Sequence, residues 1–576
     1  MAGVVGARST QLAPRLVRWR MILPVKVRLS PPGRLFLAIE RRGASVQVFE
    51  NPIRRRLSRR FQVSLVWEGA LVGLFAGALV TLYRLALTQG ERILRATVAS
   101  WANNPVMAVA WFVALAVMAV VVALLVRWEP ATSGSGIPQV DAEVMGAMDA
   151  PWYRVIAAKF AEGTIGALGG LSLGREGPSV QLGGMAGKGV SRILKRGRGE
   201  ERLLVTCGAG AGMAAAFHAP LTGVMFALEE IHKTFNAPLI ISVMMSAVMS
   251  DYVTSQVLGL QPVISFRLSE IIPHEAYALL IVFGLIMGVV GAAHNIGMFA
   301  LQNLLSRIRY RHAWLRYLIP FMVAGGMALL SPELMCGGDA ILEMLMSPQG
   351  LSIGTLALIL LGKYLFTGVC FGAGTPGGTL FPLVIMGTLA GAIFGMGATR
   401  VLGMSDAFVM NFMVLGIAGM FAGAIRAPVT AVVLAFELTG SLEQLLSLAI
   451  VSVFAYVTAN LLQVDAYYEH LLARLLGTTT DEAHEHWGSH GRQLHSYVVE
   501  AGCPAADKLI SQINWPERTL VVSVRRCGRE IVPRGTLRLL EGDRILVLLD
   551  EHEGDNNERF VRHVCHGTFA PREVVE

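Results

Sequence analysis

The apolar and polar positions of this 576-residue chain fall into three regimes. Residues 1–61 are mixed and rich in Arg, and read as a basic leader. Residues 62–476 are strongly apolar, but in unequal pieces. Val106–Val126 is an unbroken apolar run of 21 residues, enough to cross a ~30 Å hydrocarbon core as a helix. Phe61–Leu87, Tyr277–Gly297, Leu318–Leu330, Leu356–Phe371 and Leu445–Leu462 predict further spans. Elsewhere the apolar stretches are short and broken by Gly or Pro, near 134–138, 174–178, 219–220, 374–382 and 427–428. Inside a membrane, interrupted helices are tolerated only where they line a cavity or are buried in protein. The pattern predicts an all-α polytopic membrane protein of the transporter or channel kind. After a polar linker over 477–495, the third regime has strand character at Ser496–Glu500, Thr519–Arg525 and Arg544–Leu549, with a turn at Glu541-Gly542-Asp543. It predicts a small α/β domain over 496–576.

The apolar region repeats itself. Ala219–Glu229 matches Ala427–Glu437 at six of eleven positions. Gly174, Pro178, Gly183 and Gly187 line up with Gly378, Pro382, Gly387 and Gly391, 204 residues on. Broken helices at corresponding places in two halves are the sequence pointer to a binding site at mid-membrane.

Composition narrows the class. Mean hydropathy is +0.54 and only 16% of residues are charged, against about 25% in soluble domains. Residues 1–60 hold fourteen Arg and Lys against two Glu, including Arg54-Arg55-Arg56 and Arg59-Arg60. A basic flank before a first span is expected in the cytoplasm, against anionic headgroups rather than nucleic acid. No apolar core with a cleavage site opens the chain, so no signal peptide is expected. The six cysteines form no Cys-x-x-Cys pair, which argues against a zinc site or a disulfide framework. His484, His486, His490 and His495 fall in or beside one polar linker, which seldom supplies a rigid four-ligand metal site. Gly208-Ala-Gly-Ala-Gly212 lacks the strand and Lys-Ser/Thr of a nucleotide loop and reads as close helix packing. No nucleophile, base or phosphate loop argues for an enzyme, and no cofactor is expected.

The chemistry concentrates at Gly174-Arg175-Glu176-Gly177-Pro178, two charges side by side in an apolar chain. They are expected to face an interior cavity. The glycines leave amides uncovered and Pro178 suits a first helical turn. Such a helix N-terminus attracts anions, and the Glu176 carboxylate can compete for the same place. Its partner in the repeat is Gly378-Thr379-Leu380-Phe381-Pro382, and Gly134-Ser135-Gly136-Ile137-Pro138 has the same grammar. Ser135 can donate a hydroxyl to a dehydrated anion without adding charge, binding firmly enough to admit it and weakly enough to release it.

In this order and spacing, the three segments resemble the signature segments of the CLC family of chloride channels and chloride/proton exchangers, in its prokaryotic form. The resemblance covers residues 62–476. It implies inverted halves whose broken helices meet at a chloride site, and a homodimer with one anion pathway per subunit. It further implies that Ser135 and Tyr468 contact the central chloride, that the amides of Thr379 and Leu380 face it, and that Glu176 is the gate, blocking as a carboxylate and moving aside when protonated. Leu380 stands where the family usually has Phe. Glu230, with Glu229 before it, matches the glutamate that passes protons to the gate from the cytoplasmic side. The intact Ser135 motif favours chloride over fluoride.

The C-terminal domain resembles the TrkA-C regulatory domain through Leu520–Arg526, Ile531–Gly535 and Leu540–Val547, which implies a cytoplasmic module that binds a small ligand. The expectation is a multi-pass protein of a bacterial cytoplasmic membrane, both termini inside, moving chloride against protons. Alternatives are a passive voltage-gated chloride channel, a cation transporter and a non-conducting chloride sensor.

Overall fold

In a computed structural model of the chain, residues 52–100, 105–259, 272–308, 313–346, 351–440, 442–478, 492–500, 502–516, 519–526, 529–550 and 560–565 are described. The leader before residue 52 and His484, His486 and His490 lie outside them. Seventeen helices run through the described apolar region. The first eight are α1 (Pro52–Ser100), α2 (Pro105–Trp128), α3 (Ile137–Met145), α4 (Trp152–Leu168), α5 (Glu176–Ile193), α6 (Arg198–Phe217), α7 (Pro220–Phe226) and α8 (Ala237–Leu258). They are answered one for one by α9 (Tyr277–Ser306), α10 (Ala313–Leu330), α11 (Asp339–Met346), α12 (Ile353–Gly372), α13 (Leu380–Leu402), α14 (Phe408–Ile425), α15 (Pro428–Thr439) and α16 (Leu445–Leu461). α17 (Tyr467–Leu476) follows the second half. The repeat read from two short matches thus extends over both halves.

The halves are joined by a reciprocal pair of carboxylates. Glu229, just past α7, accepts from Val429 N (3.2 Å), Thr430 N (2.7 Å) and Thr430 Oγ1 (2.7 Å) at the start of α15. Glu437, near the end of α15, accepts from Leu221 N (2.8 Å), Thr222 N (2.6 Å) and Thr222 Oγ1 (2.6 Å) at the start of α7. Each satisfies orphan donors of the other's first turn. The two helices therefore lie antiparallel about a local two-fold, the relation expected of inverted halves.

Small residues let the helices close up. Gly69, Gly73 and Gly77 of α1 lie against the backbone of Ser242, Ser246 and Ser250 of α8. The Ser246 and Ser250 hydroxyls donate to Cys207 O (3.0 Å) and Ala211 O (2.7 Å) of α6. The repeated glycines do the same: Gly183 packs on Gly208 and Gly212, and Gly387 on Gly416. Among the described residues, seven helical stretches are long and apolar enough to cross a bilayer. They include α8, α13 and α14, which the apolar pattern did not single out. The serine stripe lowers the apparent hydropathy of α8. The expected spans at Leu318–Leu330 and Leu445–Leu462 are shorter helices, α10 carrying Pro320 inside it. The first span is longer than expected, since α1 begins at Pro52 and carries Arg54–Arg60 in its first turns.

The C-terminal sheet has strands β1 (Arg492–Val498), β2 (Leu520–Arg526), β3 (Arg529–Ile531) and β4 (Arg544–Asp550), ordered β1-β4-β2-β3 with every pairing antiparallel. β1 starts four residues before the predicted strand and takes in His495. Gly542 (φ +82°) makes the predicted turn. Beside it, buried Asp543 takes both arms of Arg526 (2.9 and 2.7 Å) and Leu540 N (2.9 Å). Removing one partner of such a pair strands the other. Asp543→Ala is expected to destabilise this domain by about 3 kcal/mol. The readout is roughly hundredfold faster amide exchange in β2 and β4 of the full chain, with exchange in the membrane helices unchanged.

Candidate functional site

Three helix tips meet in the middle of the apolar region. Gly174, just before α5, and Gly378, just before α13, form an isolated antiparallel bridge. Gly174 N donates to Gly378 O (2.6 Å) and Gly378 N to Gly174 O (2.8 Å). Two positive helix ends are thereby held head to head, their first N–H groups without intrahelical partners. The approach leaves no room for a side chain: a Cβ on Gly378 would stand 2.8 Å from Gly177 N, and one on Gly177 2.5 Å from Ser135 Oγ. The third tip, before α3, is tied to the same loop. Gly134 N donates to Gly374 O and Gly377 N to Gly134 O, each at 3.1 Å. Lys159 of α4, fully buried, donates from Nζ to Thr132 O (2.8 Å) and Gly134 O (2.7 Å). Gln181 of α5 donates to Ala131 O (2.7 Å).

These contacts bring most of the predicted residues together. Ser135 is 3% exposed, and its hydroxyl makes no hydrogen bond with the described protein. The same holds for Tyr468 of α17, 1% exposed, whose ring meets Phe226 edge-on at 6.4 Å. Thr379 and Leu380 form the buried start of α13. Phe381 follows, its ring 5.6 Å from the Arg175 guanidinium and 6.3 Å from the Phe217 ring.

Glu176 is the first residue of α5 and 0% exposed. The backbone N–H groups of Glu176 and Phe381 lie close to its carboxylate, yet neither oxygen closes a hydrogen bond of ordinary geometry. Arg175 Nε stands 3.8 Å from Oε1. Buried polar groups are nearly always paired, because an unpaired one costs kilocalories. Two hydroxyls and a carboxylate left open around converging helix tips form a site set for a small anion.

The acidic pair divides. Glu229 is engaged in capping α15. Glu230, next to it in a π turn over Ala227–Ile231, is 5% exposed and in electrostatic contact with Lys233, Glu469 and Asp141. Lys233 Nζ bonds Glu469 Oε1 at 2.6 Å. The Tyr468 phenol is near enough to feel the charge of both Glu176 and Glu230, without a hydrogen bond to either. Two separate cavities reach the cluster. One of about 40 Å³ is lined by Glu176, Arg175, Tyr83 and Phe381. Another of about 240 Å³ is lined by Ser135, Ser133, Arg316 and Arg474.

Sequence reasoning missed Lys159, although Lys363 stands 204 residues on, the offset of the repeat. Lys363 of α12 is likewise fully buried and donates to Leu334 O (3.0 Å) and Cys336 O (2.7 Å). Lys159→Met is expected to loosen the Gly134 tip and weaken anion passage at the site it presents roughly tenfold, as a misplaced site costs. An ion-flux assay on reconstituted protein tests this, and Lys159→Arg should recover part of the loss.

Residues 117–460 match the family described as voltage gated chloride channel, and residues 494–555 match the TrkA-C domain. The chain is 33% identical over 427 residues to an H(+)/Cl(−) exchange transporter, ClcA, of Vibrio cholerae serotype O1, covering 72% of this chain and 90% of that protein. Its fold superposes on a slow cyanobacterial Cl−/H+ antiporter with a TM-score of 0.68 and 26% identity, over 72% of this chain and 98% of that one. A CLC-type fluoride/proton antiporter, 22% identical, shares the fold with a TM-score of 0.58, over 70% and 97%.

Proposed function

The chain belongs to the voltage gated chloride channel, or CLC, family, and from that membership we propose that it exchanges chloride for protons across a bacterial cytoplasmic membrane. The observation that carries this is the meeting of the α5 and α13 tips with the open hydroxyls of Ser135 and Tyr468 around a buried, unbonded Glu176. Chloride is held by those hydroxyls and by the amides of Thr379 and Leu380. Ionised Glu176 sits against the same positive helix ends and excludes the anion. Once protonated it loses its attraction to them and swings away, so chloride and proton take turns at one place. Ser135 opens on one cavity and Glu176 on the other, which suits access from opposite faces. Glu230 hands protons to Glu176 past Tyr468, while Glu229 serves α15 as a cap. The working unit is a homodimer with one pathway per subunit, both termini cytoplasmic, and the TrkA-C domain regulates it through a small ligand.

The test is proton movement in proteoliposomes under an imposed chloride gradient. Uphill proton movement supports exchange. Chloride flux without protons would make the protein a passive channel. Cation flux would overturn the anion assignment, and binding without flux would make it a sensor.

A further inference from the structure

The repeat contains a fourth helix tip that the chloride site does not use. Pro130 and Gly136, before α3, have counterparts Pro332 and Gly338, before α11, each 202 residues on. Both glycines take positive φ, +99° and +116°. Lys363 holds the carbonyls of the second linker as Lys159 holds those of the first. The fourth tip is thus held by a buried lysine in the same way as the one that presents Ser135. Where the first continues into Ile137, however, the fourth continues into Asp339.

Asp339 lines the 40 Å³ cavity that also receives Glu176, and Glu91 of α1 lines it too. That volume has room for roughly three waters. Fully buried Glu176, with neither oxygen hydrogen-bonded, faces the same space. The charged and titratable groups that share the cavity with Asp339 are Arg175 and Glu176 on the α5 tip, Tyr83 and Glu91 on α1, and Cys336 on its own linker. Arg84 of α1 and Lys363 of α12 are close enough to feel its charge.

We propose that Asp339, with Glu91 beside it, is the proton relay between Glu176 and the solution on this side of the membrane. A protonated Asp339 gives its proton through cavity water to the Glu176 carboxylate: the O–H bond at Asp339 breaks, one forms at Glu176, and the aspartate is reprotonated from Glu91 or from solvent. The same path run backwards releases the proton. A carboxylate in the first turn of α11 would also serve simply as a favourable charge at a helix start. Asparagine tells the two roles apart, because it suits a helix start but carries no proton.

The inference rests on the exchange reading, and the experiment separates the two. Full-length Asp339→Asn, Asp339→Glu and Glu91→Gln are reconstituted, and proton and chloride rates are recorded while the pH on the cavity side is varied. Asp339→Asn is expected to slow proton-coupled exchange roughly tenfold, a modest loss for a proton-transfer group, with Asp339→Glu restoring most of it and Glu91→Gln giving a smaller loss. Added to Glu176→Ala, Asp339→Asn should change chloride flux no further. Parental proton and chloride rates in Asp339→Asn would overturn the relay. So would an equal effect on chloride flux in the Glu176→Ala background, which would mean that Asp339 acts on the anion by its charge. Chloride flux without protons in the parent would overturn the exchange reading, and the relay with it.

Discussion

Replacing Glu230 with glutamine is expected to leave chloride moving and to stop the protons. Glutamine keeps the size of the side chain and its place in the π turn, so the α7–α15 pairing and the chloride tips should be undisturbed. What it lacks is the exchangeable proton. Glu230 is buried and feels the charges of Asp141, Lys233 and Glu469, and the Tyr468 phenol feels both its charge and that of Glu176. Losing a positioned proton-transfer group typically costs at least ~100-fold in the step it serves. Proton transport in proteoliposomes should fall by that much, with chloride flux within about threefold of the parent. Glu229→Gln is the matching control. It weakens a three-bond cap on α15, worth about 1–2 kcal/mol, and should lower thermal stability without changing the proton-to-chloride ratio. If Glu230→Gln stays coupled and Glu229→Gln does not, the two roles are reversed.

Removing the side chain of Glu176 has the opposite character: under the proposed mechanism it takes away the anion that competes with chloride. In the parent, acid should speed chloride flux, because protonation frees the tips of α5 and α13. In Glu176→Ala the flux should become indifferent to pH, and proton coupling should vanish. Chloride should also bind about tenfold more tightly, since relief of only 1.4 kcal/mol of competition suffices. Titration calorimetry on the solubilised protein measures the affinity, and flux assays across pH measure the loss of acid dependence. Retained acid dependence in Glu176→Ala would place the gate elsewhere and remove the central element of the mechanism.

The three tips were legible because Gly, Pro and an isolated charge are local signals in an apolar chain. The repeat added their pairing. The lysines were not legible in the same way. A lone lysine in an apolar run looks like a span end, and only the fold shows Lys159 and Lys363 bonding linker carbonyls. Family likeness singled out Glu230, but the capping contact of Glu229 was not legible, because neighbouring side chains diverge by the local winding, and a π turn alters that winding. The α8 span was hidden by serines that disappear into contacts with α1 and α6. Tyr468 gave no chemical signal of its own and was found through family likeness alone.

The crossed carboxylates Glu229 and Glu437 say something about ancestry. Neither half of the chain can finish its own seventh helix, since the group that closes each first turn is supplied by the other half. A gene encoding one half alone would have made a product with that helix start bare, and two copies in opposite orientation would have covered each other's. The fold is therefore that of a fused antiparallel pair.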